Sequence, residues 1–214
     1  VHFNVQWSSE TARPDGAPQG PPNRAEAEAE AARGAYGFAR VEMLPGGVGY
    51  IDLRGFTHFS PDNAETSPAR RAADAAMSLL AGASAIIIDE RDCPGGSPAM
   101  VGYLVAYFTP PGADIFNTFR SRRGEGRENN FVDPRGERRL DTPLFIVTSG
   151  RTGSACEAFA YTLHAAGRAT IVGQRSGGAA NPGGMVPLRD GFSIFVSGGS
   201  PVNPITGRNW EGTG

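Results

Sequence analysis

Two short stretches carry residue types suited to acyl transfer. The first is Val147-Thr-Ser-Gly-Arg-Thr-Gly-Ser154-Ala-Cys-Glu157, in which an apolar run from Pro143 to Thr148 ends in small residues and passes into a helical pattern from Ala155 to Ala166. A serine at such a strand-to-helix corner presents its hydroxyl beside a helix N-terminus, whose backbone N–H groups can stabilise an oxyanion. The same four residues, Ser154-x-x-Glu157, also spell a capping box, a purely structural use of both side chains. The second stretch is Asp89-Glu-Arg91-Asp-Cys-Pro-Gly95-Gly96-Ser-Pro, after the most apolar run of the chain. Glycines there let backbone approach a ligand closely and aim N–H groups at it. Both stretches follow strands at the end of an α/β sheet where such folds bind ligands.

The chain contains no lysine: all 20 of its basic residues are arginine. A Ser–Lys dyad is therefore excluded, and the three histidines, His2, His58 and His164, are the available bases. His164 lies ten residues into the helix that starts at Ser154, about 15 Å along its axis, too far to reach the hydroxyl. His58 follows a core strand and can face the cleft. Asp89 is expected to cap the Gly-Gly loop, Arg91 to brace it, and Asp52 to be structural.

The elements that must position these residues follow an alternating pattern. Val1–Trp7 reads as a strand, Thr11–Asn23 as a Pro- and Gly-rich connection, and Arg24–Arg33 as a partly helical, exposed tether. Val48–Leu53 is a strand. A helix begins at Ser67-Pro-Ala, with Ser as N-cap and Pro at the first position, and runs to about Leu80. Ala85–Asp89 is a short, continuously apolar strand of the parallel type, followed by a helix over Ala99–Phe108. Residues 110–140 form a long excursion whose 119–139 portion holds seven Arg against four acids; it reads as a solvated flap or hairpin, with a substrate-covering lid as the alternative. Strands at 144–148 and 169–172 and a closing hairpin around 192–196 complete an α/β chain with a mainly parallel sheet.

With 214 residues, 39% hydrophobic content and 30 glycines, the composition describes a globular, loop-rich protein with one substantial core. A formal charge of −2 gives no electrostatic reason for nucleic acid or an anionic membrane as partner. No apolar run approaches the roughly 18–20 residues that span a bilayer. The chain has no signal peptide and no initiator Met, and reads as a fragment or processed form. Cys93 and Cys156 each adjoin one of the two motifs, so they are expected close in space, as two buried thiols rather than a bridge.

Taken together, Gly49-Tyr-Ile-Asp-Leu-Arg-Gly-Phe, Ile87-Ile-Asp-Glu-Arg-x-x-Pro-Gly-Gly, the Ser154 motif, Ile171-Val-Gly and Val202-Asn-Pro-Ile-Thr-Gly-Arg-Asn-Trp-Glu-Gly resemble the tail-specific, carboxyl-terminal processing protease family. The similarity covers roughly residues 36–214. Within the family it is greatest to the branch of interphotoreceptor retinoid-binding protein-like and tricorn-like serine peptidases. The resemblance implies a spiral ββα sheet core of the ClpP/crotonase type with flanking helices. It implies Ser154 as nucleophile and an oxyanion hole formed by the N–H of Ala155 and one from Gly95 or Gly96. Where the processing branch has its lysine base, in a segment similar to 172–179, this chain has Ala179. The tricorn-like branch instead implies His2 as base and Glu211 as its orienting carboxylate, with His58 the alternative base. No metal or cofactor is implied.

The resulting expectation is a serine peptidase acting near the C-terminus of peptides or unfolded proteins, periplasmic or secreted, with no nucleic-acid partner and no integral membrane segment. Residues 1–10 would end an N-terminal subdomain, 11–35 form a linker, and 36–214 the catalytic core. Nothing in 8–36 resembles the PDZ domain of many relatives. The rival readings are a non-catalytic binding module for an apolar, retinoid- or lipid-like molecule, and an esterase using the same oxyanion site.

Overall fold

The computed structural model describes residues 4–8, 23–122, 124–127 and 133–214. In chain order its first elements are β1 (Val5–Trp7), α1 (Arg24–Arg33), β2 (Phe38–Leu44), β3 (Val48–Leu53), α2 (Pro68–Leu79), β4 (Ala85–Asp89) and α3 (Pro98–Phe108). They are followed by β5 (Thr118–Ser121), β6 (Gly124–Arg127), β7 (Leu144–Thr148), α4 (Ala155–Ala165), β8 (Thr170–Gly173), β9 (Gly183–Pro187), β10 (Phe192–Ser197) and β11 (Gly199–Val202).

A five-stranded sheet in the order β2-β3-β4-β7-β8 organises the molecule. The pairs β3–β4, β4–β7 and β7–β8 are parallel; only β2 runs antiparallel, on the outside edge against β3. Parallel neighbours need crossover connections, and α2, α3 and α4 lie in those crossovers. Alternation along β3 and β7 buries Ile51, Leu53, Leu144 and Ile146 on one sheet face, as period-two side-chain geometry requires. Against that core pack Ala73 and Met77 of α2, Leu104, Val105 and Phe108 of α3, and Phe159 and Leu163 of α4. The helix α2 starts as its sequence demands: Pro68 is the first residue and the Ser67 hydroxyl accepts the Arg70 N–H at 3.4 Å. Every residue of α3 from Met100 to Phe108 is buried, so this helix is apolar all round because it is covered all round.

Two smaller antiparallel sheets flank this core, β1-β10-β9 and β11-β5-β6. The excursion at 110–140 therefore contains a hairpin, as one reading expected, but it is anchored rather than free. β5 pairs with β11 over Thr118–Val202 to Ser121–Gly199. Beyond residues 128–132, which lie outside the described residues, Arg138 donates to the carbonyl of Thr109 at 2.8 Å and the Arg139 N–H to that of Tyr107 at 2.5 Å. These arginines satisfy the C-terminal carbonyls of α3, a role that weak periodicity concealed. The N-terminal strand was legible, but its partner was not: Val5 stands opposite Ile194 and Trp7 opposite Phe192. The strand β2 was not separately recognised, although the α/β pattern was seen to begin at Phe38.

Candidate active site

The corner between β7 and α4 is built by its small residues. Ser149 N–H donates to the Thr152 hydroxyl at 3.0 Å, and that hydroxyl donates to the Glu90 carbonyl at 2.7 Å. The Ser149 hydroxyl reaches the Arg91 carbonyl at 2.6 Å, and Gly153 N–H the Cys93 carbonyl at 3.0 Å. The turn after β7 is thereby stitched to the loop after β4. Ser154 emerges from it with φ 52° and ψ −117°, a conformation that L residues avoid and that costs on the order of 1–3 kcal/mol. Ala155, the first residue of α4, follows it directly. Its N–H belongs to the helix end that has no intrahelical acceptor.

Gly95 faces this serine, and Gly96 beside it faces Phe56. Their φ values, 138° and 142°, belong to glycine, and a Cβ on Gly95 would stand 2.8 Å from Ser154 Cβ and 3.3 Å from its Oγ. A Cβ on Gly96 would fall 2.2 Å from the Phe56 carbonyl oxygen. The loop is held there like a strand: Phe56 N–H donates to the Gly95 carbonyl at 3.0 Å and Ser97 N–H to the Phe56 carbonyl at 2.7 Å. Alternate peptide groups point opposite ways in such a pairing, which turns the Gly96 N–H away from Phe56.

Below the serine, Glu157 is 2% exposed. Its carboxylate accepts the Ser154 N–H at 2.8 Å, the Ser176 hydroxyl at 2.7 Å, Gly178 N–H at 2.6 Å and Ala179 N–H at 2.8 Å. The capping contact expected of Glu157 is present, and three further bonds extend it. Glu211 takes up where Glu157 ends, accepting Ala180 N–H at 2.9 Å and Asn181 N–H at 3.0 Å. Two carboxylates thus clasp one continuous segment, 178–181. Trp210, 2% exposed and packed with its ring centroid 5.2 Å from that of Tyr161 of α4 in a tilted arrangement, seats the turn that carries Glu211. The second role of Glu157 was missed because its donors lie some twenty residues downstream, in a Gly-rich loop that shows no periodicity.

The histidines separate clearly. His2 lies outside the described residues; the carbonyl of Asn4, two residues on, accepts the Phe195 N–H at 2.8 Å. His58 is exposed, and its Nδ1 lies 2.8 Å from the hydroxyl of Ser97, next to Gly96. It lines a cleft of about 1090 Å³ between α1 and residues 57–68. His164 is exposed and faces the Ala169 carbonyl at 3.3 Å, a packing contact. Asp89 accepts the Arg91 N–H at 3.1 Å, its Nε at 2.9 Å and the Tyr50 hydroxyl at 2.8 Å. Burial works against the Asp89 carboxylate, yet the Arg91 and Tyr50 hydrogen bonds hold its pKa below the ordinary value. Asp89 and Arg91 therefore brace the loop as expected. Asp52 binds Arg54 at 2.6 Å, also a structural pairing.

Two findings lie outside the sequence expectations. Cys93 and Cys156 are joined in a disulfide, with Cα atoms 6.1 Å apart, where two thiols were expected. The bridge forms because the stitched corner brings the two motifs within bonding distance. Glu90 is fully buried, and neither carboxylate oxygen has a hydrogen-bond partner among the described residues. Burial, then the negative charges of Asp89 and Glu157, push its pKa well above the usual carboxylate value.

An open α/β sheet, a strained serine at a helix N-terminus and a glycine loop in contact with it define a site shaped for nucleophilic acyl transfer. The chain belongs to peptidase family S41, whose family model matches residues 47–214. Carboxyl-terminal-processing peptidase 1 of Arabidopsis thaliana, chloroplastic, is 29% identical over 172 residues, which are 79% of this chain and 33% of that protein. The carboxyl-terminal-processing protease of Synechocystis sp. is 32% identical over 54% of this chain and 26% of its own length. The chain thus spans about a third or less of the length of these curated relatives. Among solved structures, the photosystem II D1 C-terminal processing protease superposes with a TM-score of 0.51 at 22% identity, over 79% of this chain and 42% of that one. Among the described residues no helix is long and apolar enough to cross a membrane.

Proposed function

We propose that this chain carries the catalytic core, residues 36–214, of a serine peptidase that hydrolyses peptide bonds near the C-terminus of peptides or unfolded proteins. The observation that carries the reading is the Ser154 corner: a strained nucleophile position, φ 52°, in contact with Gly95 and heading α4. In this reading Ser154 Oγ attacks the scissile carbonyl and His2 takes its proton, then returns it to the leaving amine. Glu211 orients the imidazole, and the N–H groups of Ala155 and of Gly95 or Gly96 bind the tetrahedral oxyanion. No metal or cofactor enters the scheme. The parallel core with crossover helices fits a ClpP/crotonase-type ββα spiral, with residues 1–10 belonging to an N-terminal subdomain that delivers His2 and 11–35 linking it to the core. Family membership and the names of the relatives support the peptidase reading over an apolar-ligand module.

The Cys93–Cys156 bridge supports an oxidising compartment, periplasmic or extracellular, since such bonds persist where thiols are not kept reduced. The test is intact-mass analysis after a fluorophosphonate probe, beside the Ser154→Ala variant, between pH 6 and 9. One adduct, lost in the variant, is expected. An adduct that persists in Ser154→Ala moves the nucleophile elsewhere, and a folded protein with none removes the peptidase reading. Parallel assays with p-nitrophenyl esters and peptides separate an esterase from a peptidase.

A further inference from the structure

We propose that the Cys93–Cys156 disulfide is a positioning element of the oxyanion pocket, holding the Gly95–Gly96 backbone at a fixed separation from Ser154 and Ala155. The inference rests on the acyl-transfer reading above. Its basis is where the two half-cystines sit. Cys93 precedes Gly95 by two residues and Cys156 follows Ser154 by two, so one covalent bond brackets both segments that would donate to the oxyanion. The two segments are otherwise remote, with a sequence separation of 63 between the cysteines and the whole of α3 and the 110–140 excursion between them.

The need for such a bond follows from the glycines. Gly95 and Gly96 have no side chains with which to grip the corner, and a Cβ at either position would collide with Ser154 or Phe56. Their backbone freedom is the cost of that close approach. The noncovalent ties across the corner fall earlier in the loop, on the carbonyls of Glu90, Arg91 and Cys93 and on Asp92, which Arg151 contacts through Nε at 2.6 Å. On either side of Gly96 the loop is tied to Phe56, through the Gly95 carbonyl and the Ser97 N–H, and not to the corner. The disulfide reaches past the corner into α4 itself, at Cys156. Both cysteines are 0% exposed, so the bond is shielded within the packed corner. A tie that fixes two donors before substrate arrives removes reorganisation from the reaction step, which is where oxyanion stabilisation derives its effect.

The test compares wild type with Cys93→Ala/Cys156→Ala, well below both melting temperatures. The readouts are the second-order rate of fluorophosphonate labelling and kcat and KM on a p-nitrophenyl ester. Labelling and kcat are expected to fall at least about tenfold with KM little changed, because loosening the hole weakens the transition state more than ground-state binding. Rates within twofold of wild type overturn the proposal while leaving the peptidase reading intact. A wild type that takes no label overturns both. Should the double variant not fold, wild type is reduced natively with a water-soluble phosphine. The S–S bond then breaks to two thiols, while phosphorus is oxidised to the phosphine oxide with oxygen from water. Loss of labelling on reduction, with two thiols counted by alkylation and labelling regained on reoxidation, supports the positioning role. Undiminished labelling with both thiols counted, or outright unfolding on reduction, overturns it.

Discussion

At the scale of single residues, the corner trades stability for geometry at one position. Ser154 holds φ 52° and ψ −117° against its own preference, while glycine adopts such backbone angles without the Cβ penalty. Replacing Ser154 by Gly should therefore raise stability by about 1–2 kcal/mol and abolish hydrolysis. Ser154→Ala, which keeps the Cβ and the strain, should abolish hydrolysis with little gain. Chemical denaturation of the two variants beside wild type reads the difference, and equal stabilities would mean that the strain is relieved elsewhere. The converse holds opposite the serine. Gly95→Ala would place a methyl 2.8 Å from Ser154 Cβ in a backbone conformation that alanine resists. It should lower fluorophosphonate labelling at least about 100-fold, the scale of losing one oxyanion donor. Labelling within a few-fold of wild type would remove Gly95 from the pocket.

At the scale of elements, the ends of β4 and α4 carry two buried carboxylates in opposite circumstances. Glu157 accepts four hydrogen bonds from Ser154, Ser176, Gly178 and Ala179, so Glu157→Gln turns an amide donor toward donors. A loss of about 2–4 kcal/mol is expected, together with slower labelling of Ser154, since the serine's own N–H is among those bonds. Glu90 has no such partners among the described residues, and its raised pKa means that the native state favours the protonated form. Between the unfolded value near 4.5 and the raised native value, the native state binds more protons than the unfolded chain. This contribution is therefore fully present below pH 4.5 and falls as pH rises, by up to about 1.4 kcal/mol per unit, until the native pKa is passed. Glu90→Gln should flatten that slope and gain most relative to wild type at alkaline pH, as thermal melts at pH 4, 7 and 9 would record. Parallel slopes in the two proteins would mean that Glu90 ionises freely.

Legibility in the sequence follows the same division. The Ser154 corner and the Gly-Gly loop could be located because strands, caps and glycines are local signals, and β4, α2 and α3 were read to within about two residues. The Glu157–Glu211 clasp, the anchored arginines of 110–140 and the Cys93–Cys156 bond join segments far apart in sequence. Pattern and spacing carry no term for such contacts.

At the scale of the whole molecule, the proposed site depends on a strand from the far end of the chain. β1 joins the body by pairing with β10, through Val5 to Ile194 and Trp7 to Phe192, with the Trp7 indole donating to the Asp190 carbonyl at 3.0 Å. Its side chains are largely solvent-facing, with Val5 50% and Trp7 60% exposed, so the strand adds little to the core. The five-stranded sheet, α2, α3, α4 and the two-carboxylate clasp are complete without it. Removing residues 1–8 should therefore lower the melting temperature by only a few degrees, as befits a loss of about 1 kcal/mol in a chain of this size. If the strand's task is to deliver His2, the same deletion should abolish hydrolysis. His2→Ala, which leaves the strand in place, should lower kcat by at least about 100-fold, with partial recovery in added imidazole. His58→Ala, beside Ser97 on the other flank of the glycine loop, should leave most of kcat in place. An active deletion variant, or a kcat loss at His58 rather than His2, would transfer the base to the loop after β3 and make the catalytic group a part of the core itself.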